Sequence, residues 1–440
     1  MAKQIFKNKK VVIMGLGLHG GGADSAKFFY KQGAKVLVTD LKTKEQLASS
    51  IAQLKSFKKI EYVLGGHRED DFKTADIIIK NPDVPSSSPY LEIARKNKVE
   101  IQTDVGLFFK TSKAFIIGVT GTKGKSTTAS LIYHLLKPKY KRIFLAGNIG
   151  VSPLSLLSKV KKGDKVVLEL SSFELEDLRQ SPNIAVFTNI MPDHLNRYAD
   201  MSEYVDAKKS IFRYQTKKDI LVLNNDDSIV RTFATEANSR VCYFSKENNP
   251  ENVSLDGFKL YGNHNLSNLL AAIEVAKIMK VPAKVIEKSL KTFKGVPSRQ
   301  EFIREVDGVK YFNDTTATIP QAVISAIDSF SEQFPDANIF LICGGVYKGV
   351  EYKEMAERIR EKNVSLIMFP GNGSDKIKEN LPNYNKISDA SNMQEAVEKA
   401  SKMAKVGDLV ILSPAASSFN MFKNEFDRGN QFVKAVKEIL

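Results

Sequence analysis

Cysteine is nearly absent from this 440-residue chain. Cys242 and Cys343 stand far apart, each in an apolar stretch, so neither a disulfide framework nor a cysteine-rich metal knuckle is on offer. A reducing, cytoplasmic setting is the expectation. Long apolar runs are missing as well, and no segment approaches the roughly 18 apolar residues of a membrane span. The first residues, MAKQIFKNKKVVIMGLGLHGGG, place basic residues before an apolar run as a secretory leader does. The run is short and no small-residue cleavage pattern follows, so a buried first strand explains it better. No repeat of fixed period and no low-complexity tract occurs.

What is present belongs to an ordinary globular chain, with 42% hydrophobic and 26% charged residues. That balance leaves little room for extended disorder. The formal charge of +15 invites a nucleic-acid reading. Its lysines are dispersed, however, and no aromatic-basic module accompanies them, which points to solubility and to steering of anionic substrates. At this length about three domains are expected.

Short β-branched apolar runs recur at 11–14, 36–38, 77–79, 115–117, 166–168, 185–187, 220–223, 339–342, 366–368 and 409–412, with helical patterns between them. The alternation predicts an α/β protein whose mainly parallel sheets are covered by helices on both faces. The polar stretch at 110–113 and the Gly295 and Pro297 joint divide the chain into domains at 1–111, 112–298 and 299–440.

The most informative segment is 118–127, Gly118-Val-Thr-Gly121-Thr122-Lys123-Gly124-Lys125-Ser126-Thr127, set between an apolar strand and a helical pattern starting near Ala129. Glycines allow backbone N–H groups to turn inward around phosphate oxygens, and the helix N-terminus adds its dipole. Lys125 contributes a point charge and Ser126 a hydroxyl for Mg²⁺. Val119 occupies the place of the first glycine in the strict phosphate-loop pattern. Even so, three glycines at every third position before Lys-Ser arise by chance in roughly one chain per thousand, so an ordinary glycine turn is a poor account.

A second glycine cluster, Gly15-Leu16-Gly17-Leu18-His-Gly20, follows the first strand, and Asp40 closes the next one twenty residues on, after Thr39. Alone this pattern says dinucleotide binding, but it arises by chance in about one chain in ten. A different nucleotide diphosphate, or strand-helix packing alone, accommodates the same glycines.

Carboxylate and imidazole candidates sit at the same sheet edge as the phosphate loop. The run 166–168 ends in Glu169, suited to Mg²⁺, and the run 185–187 leads to Asp193-His194. Lys208 lies on a helical pattern beyond, where a solvated surface lysine is the plain reading.

Together with the loop, Gly147-Asn148-Ile-Gly150, Glu169-Leu-Ser171-Ser-Phe173, Asp193-His194 and Gly262-Asn-His-Asn-Leu-Ser-Asn268 resemble the Mur ligases of peptidoglycan synthesis, nearly end to end. Gly15-Leu-Gly-Leu with Thr39-Asp40, and Ser413-Pro-Ala-Ala-Ser-Ser418-Phe with Phe422-Lys-Asn424, resemble the branch that adds glutamate to UDP-N-acetylmuramoyl-L-alanine. The resemblance implies an N-terminal Rossmann-like domain for UDP, a central ATPase and a C-terminal Rossmann-like domain for the amino acid. It implies ADP-forming amide synthesis through an acyl phosphate by a monomer, with ATP and two Mg²⁺ ions. Neither nucleic acid nor a membrane takes part.

By matching motif, Gly15, Leu16, Gly17, Leu18, Thr39 and Asp40 look like UDP contacts, and Asn148 and Ser171 like contacts to the muramoyl substrate. Residues Gly121, Thr122, Lys123, Gly124, Lys125, Ser126 and Thr127 look like the ATP cradle. Asn268 resembles the adenine contact, Arg299 the arginine reaching the ATP phosphates, and Asp314 a ribose or phosphate neighbour. Lys125, Glu169, His194 and Lys208 look catalytic; Ser126, Glu169, His194 and a carbamate on Lys208 look like the metal frame. Lys348, Ser418 and Phe422 resemble the glutamate pocket.

Departures from the pattern fall at Thr316, Glu425, Ser298, Glu174 and Asn81-Pro-Asp83. Several adjoin the amino-acid end, and glutamate chirality stays open between the D form and an L-specific variant. Another Mur-type or a folylpolyglutamate-type ligase is the nearest alternative. A NAD-dependent dehydrogenase would explain the first forty residues but not the Lys125 loop, and a nonenzymatic nucleotide-binding module would leave the ATPase set without work.

Overall fold

The computed structural model describes residues 5–17, 21–149, 151–193, 197–247, 253–258, 263–347, 349–418 and 421–439. The first sheet comprises β1 (Lys10–Met14), β2 (Lys35–Asp40), β3 (Glu61–Leu64), β4 (Ile77–Lys80) and β5 (Glu100–Gln102), all parallel in the order β3-β2-β1-β4-β5. Val11 to Met14 are at most 2% exposed. Helices cover both faces, so the run is continuously apolar instead of alternating. The chain winds outward from β1 to β3, then returns to β4 on the other side. This reversal opens a crevice beyond the C-terminal ends of β1 and β4.

The second sheet comprises β6 (Phe115–Thr120), β7 (Ile143–Gly147), β8 (Lys165–Glu169), β9 (Ile184–Phe187), β10 (Ile220–Asn224) and β11 (Arg240–Phe244). It is parallel throughout, in the order β11-β10-β9-β6-β8-β7. Central β6 has β8 and β9 as its two neighbours, and their C-terminal ends share one edge. The first and second sheets contribute to one buried cluster that includes Val11, Phe29, Phe108, Leu154 and Phe187. Helix Asp104–Thr111 joins them: Thr103 caps it by accepting from the Gly106 N–H at 2.9 Å, and Ser152 donates to the Asp104 carboxylate at 2.9 Å. This helix ends at Thr111.

The third sheet comprises β12 (Glu301–Val306), β13 (Val309–Asn313), β14 (Ile339–Cys343), β15 (Ser365–Met368), β16 (Ile387–Asp389) and β17 (Leu409–Leu412), in the order β12-β13-β17-β14-β15-β16. All pairings are parallel except that of β12 with β13, a hairpin turned by Asp307 and Gly308 at φ 48° and 76°. Positive φ at both central residues matches the right-handed twist of the strands. The α/β class and parallel sheets agree with the sequence expectation, and this hairpin adds an antiparallel edge.

The chain packs as two compact units, 1–254 with 267–289 and 255–266 with 290–440. No helix among the described residues is long and apolar enough to cross a membrane.

In the second unit, Arg428 is fully buried on helix Glu425–Lys437. Its guanidinium donates to the Thr315 hydroxyl at 3.0 Å, the Thr315 carbonyl at 2.8 Å and the Ala416 carbonyl at 3.1 Å. Burial pushes it down to about 10 against the pull of Glu425. Replacing Arg428 with methionine strands buried carbonyls, with an expected loss of about 2–4 kcal/mol. Urea denaturation checks this; a loss under about 1 kcal/mol would mean that water satisfies these carbonyls.

Candidate active site

Strand β6 runs through Thr120, so Gly118 lies inside it and not in the loop. A Cβ there would come within 2.8 Å of Pro182 and 3.0 Å of Leu170. Gly118 therefore serves packing behind the loop, a correction to the expected three-glycine cradle. The turn itself is 121–124, and helix Lys125–Leu136 starts immediately after it. Gly121 at φ 143° and Gly124 at φ 80° supply conformations that side chains resist. Added Cβ atoms would lie 2.0 Å from the Thr188 hydroxyl and 2.1 Å from the Asn268 amide oxygen.

Side chains from strand ends and helices hold this turn. Thr188 donates to the Lys123 carbonyl at 2.8 Å, and the Asn189 amide both accepts from the Lys123 N–H at 2.8 Å and donates to its carbonyl at 3.0 Å. Thr122 points inward, with its hydroxyl 3.1 Å from that of Tyr204. The Lys125 ammonium donates to the Thr122 carbonyl at 2.8 Å, and Lys123 pairs with Asp193 at 3.3 Å. Ser126 is buried in the first helical turn beside Thr127. Asn268, on helix Asn263–Ile278, accepts from Thr128 at 3.2 Å. The Thr188-Asn189 brace was missed from sequence, although its position at the end of β9 beside the loop strand was the available signal.

Lys208 is not a solvated surface lysine. On helix Met201–Arg213 it is 1% exposed and donates to the Gly121 carbonyl at 2.8 Å, with its amine 4.8 Å from the centre of the Tyr204 ring. Burial and the Lys125 charge push this amine well below the ordinary lysine range; Asp193 and Glu174 pull it up, and Lys123 pushes it further down. Desolvation and like charge both disfavour the ammonium form.

Glu169 ends β8 at 1% exposure. One carboxylate oxygen accepts from the Asn148 amide at 3.2 Å, while Oε2 is buried with no hydrogen-bond partner among the described residues. Gly147 permits the approach, since a Cβ there would sit 2.2 Å from the Glu169 carbonyl. Ser171 caps helix Ser172–Glu176 in a reciprocal capping box with Glu174.

The crevice of the first sheet is a cavity of about 510 Å³ lined by Gly15, Gly17, Asp40, His67, Asn81 and Tyr90 among others. Asp40 is occupied by the loop itself: it accepts from the N–H groups of Leu16 at 2.9 Å, Gly17 at 3.2 Å and Lys42 at 2.9 Å. A carboxylate has about four acceptor positions, so its first work is to fold the glycine turn. Leu16 belongs to the buried core. Thr39 meets the His67 ring nitrogen at 2.6 Å, and burial lowers the His67 pKa against the pull of Asp40. His67 and Tyr90 carried no sequence signal.

In the second unit, Asp314 is buried and pushed up to about 7 by that burial, against its bonds from Ser413 at 2.9 Å and the Gln300 N–H at 3.1 Å and the charge of Arg299. Thr316 donates to the Ser298 carbonyl at 2.9 Å. Ser418 is buried, and Phe422 packs edge-on against Phe369 with ring centres 5.5 Å apart. Phe422 thus helps build the apolar core. Leu18, His194 and Lys348 lie outside the described residues.

A phosphate loop with a buried carboxylate and a buried lysine at one sheet edge, a nucleotide-sized crevice on another sheet and a third α/β sheet define a multidomain ATP-dependent ligase. Three family models match the chain: Mur ligase MurD-like, N-terminal domain at 9–103, Mur ligase middle domain at 119–276, and Mur ligase, glutamate ligase domain at 298–416. The chain belongs to the Mur ligase family. Its relatives include the UDP-N-acetylmuramoylalanine--D-glutamate ligases of a Roseiflexus species, 37% identical over 98% of both chains, and of Acetivibrio thermocellus, 38% identical over 99% of this chain and 98% of the other. The fold is similar to that of UDP-N-acetylmuramate-alanine ligase MurC from Thermotoga maritima (TM-score 0.61, 19% identity, covering 98% and 99% of the two chains). It is similar also to MurF ligase from the same organism in complex with ADP (TM-score 0.58, 20% identity, 99% and 97%).

Glu174 yields a prediction. Burial, then the Asp104 charge, push its carboxyl up to about 8 against hydrogen bonds from Ser171. A folded pKa above the unfolded value of 4.5 means that the folded state holds the extra proton. Stability is therefore lost as pH rises from about 4.5 to about 8. Glu174→Gln keeps the acceptor oxygen without the titration. Its melting temperature should gain on that of the parent across this window and hold the gain above it; parallel curves would refute the assignment.

Proposed function

We propose that this enzyme joins D-glutamate to UDP-N-acetylmuramoyl-L-alanine in the cytoplasm, as a monomer. Similarity to D-glutamate ligases at 37–38% identity along 98–99% of the chain is the observation that carries this reading. The domains run 1–111, 112–298 and 299–440. The 510 Å³ crevice takes the UDP group, with Gly15, Gly17, Thr39 and Asp40 shaping its floor. The N–H groups of 121–126 cradle the ATP phosphates, and Asn268 contacts adenine. Arg299 neutralises phosphate charge, Asp314 adjoins the nucleotide, and Lys348 and Ser418 take the glutamate carboxylates.

The substrate's terminal carboxylate attacks the γ-phosphorus of ATP, the bond to the β-phosphate oxygen breaks, and ADP departs from an acyl phosphate. Lys125 and the helix N-terminus stabilise charge on the transferring group. The glutamate amine then adds to the acyl carbon, loses a proton, and inorganic phosphate leaves to give the amide.

The donor set fits Mg²⁺: the orphaned Glu169 oxygen offers a buried anionic ligand, the Ser126 hydroxyl a second oxygen, and His194 completes the frame. Bound Mg²⁺ would neutralise phosphate charge. Lys208 enters as a carbamate. A lowered pKa favours the free amine that attacks CO₂, and the Lys123 and Lys125 charges that disfavour an ammonium favour the resulting anion.

Purified protein given ATP, UDP-N-acetylmuramoyl-L-alanine and either glutamate enantiomer should form amide and ADP with the D form; no amide with either sinks the assignment. Lys208→Ala should abolish turnover, and bicarbonate should not restore it. Unchanged turnover would remove Lys208 from the chemistry.

A further inference from the structure

Lys80 ends β4 and is 2% exposed. Its ammonium donates to the Val84 carbonyl at 2.9 Å and the Ser86 hydroxyl at 3.2 Å, and it pairs with the Asp177 carboxylate at 2.5 Å. Ser86 donates in turn to the other Asp177 oxygen at 2.9 Å. Val84 lies on the wall of the first-sheet crevice. Asp177 caps the C-terminal end of helix Ser172–Glu176, whose N-terminal end is Ser171, two residues beyond Glu169. One buried ion pair therefore ties the crevice wall to the arm that carries Glu169.

A second tie runs in parallel. Arg197 donates to the Asp83 carbonyl on the same wall at 2.8 Å. It also lies 3.5 Å from the Glu176 carboxylate and 5.2 Å from the centre of the Phe173 ring. Two segments of the second sheet thus grip one loop of the first, and neither grip faces the crevice interior. Long substrates need such a device. A molecule seated by its nucleotide at one sheet edge must present its far carboxylate to a phosphate at another, and an error of about 1 Å between the two costs about a hundredfold in rate.

We infer that Lys80, Asp177 and Arg197 are positioning residues that set the distance between the UDP crevice and the phosphate loop, so that a substrate held at one end reacts at the other. The inference rests on the proposed function. It concerns turnover, because neither Lys80 nor Asp177 touches the reacting groups. The Asp177 oxygen that faces Lys80 is itself buried, so only the double variant removes the pair without leaving one charge unmatched.

The test uses the full chain with Lys80→Met, Asp177→Asn and the double variant. Measured quantities are kcat and KM for both substrates and the affinity for free UDP by calorimetry. Each single variant should lose about 10- to 100-fold in kcat while UDP affinity and the KM for ATP stay at wild-type values. The double variant should fall no further than the worse single one, as expected of two halves of one contact. Wild-type kcat in both singles, independent losses that multiply in the double, or UDP affinity falling in step with kcat would each overturn the latch. The last result would mark Lys80 as mere support for the crevice wall. An inactive wild type would overturn the functional reading as well, which separates the two failures.

Discussion

A side chain at position 121 would place its first carbon 2.0 Å from the Thr188 hydroxyl, and one at 124 would place it 2.1 Å from the Asn268 amide. Both distances are about half of ordinary van der Waals contact. The phosphate turn is therefore pressed into the ends of β6 and β9 and against helix Asn263–Ile278, and its backbone is set before any ligand arrives. Thr188, Asn189 and Lys208 hold its carbonyls from the inner side. The chemistry depends on this arrangement, because donors fixed in advance need no reorganisation when charge develops on a transferring phosphoryl group.

The same crowding brings three amines, Lys123, Lys125 and Lys208, to one small turn. Lys123 is balanced by Asp193 and Lys125 by the Thr122 carbonyl, whereas Lys208 is buried and its pKa is pushed well below the ordinary lysine range. Glu169 is held deep in the sheet with an oxygen unmet among the described residues. The turn thus collects positive charge for phosphate, beside a carboxylate that calls for a cation.

Strands buried on both faces, such as β1, β4, β8 and β17, were legible as continuous apolar runs. Partly exposed β3, β5, β11 and β16 lie at sheet edges and carry polar residues, so no periodicity marked them. Glycine spacing located the phosphate turn but assigned Gly118 to the wrong side of it, because strand continuation through Thr120 is decided by pairing with β8 and β9. Asp40 was identified as a nucleotide-loop residue, yet its three backbone bonds show a carboxylate already engaged by the turn.

Class, family and the phosphate loop could be had from the amino-acid order, since hydrophobic period and motif spacing are properties of neighbouring residues. The burial and lowered pKa of Lys208, the brace under the loop and the Lys80 grip could not. They depend on close approach between segments far apart in the chain: Lys208 meets a carbonyl 87 positions away, and Asn268 meets Thr128 across 140. Desolvation and Coulomb forces act through space over a few ångströms, so these properties first exist when the chain has folded.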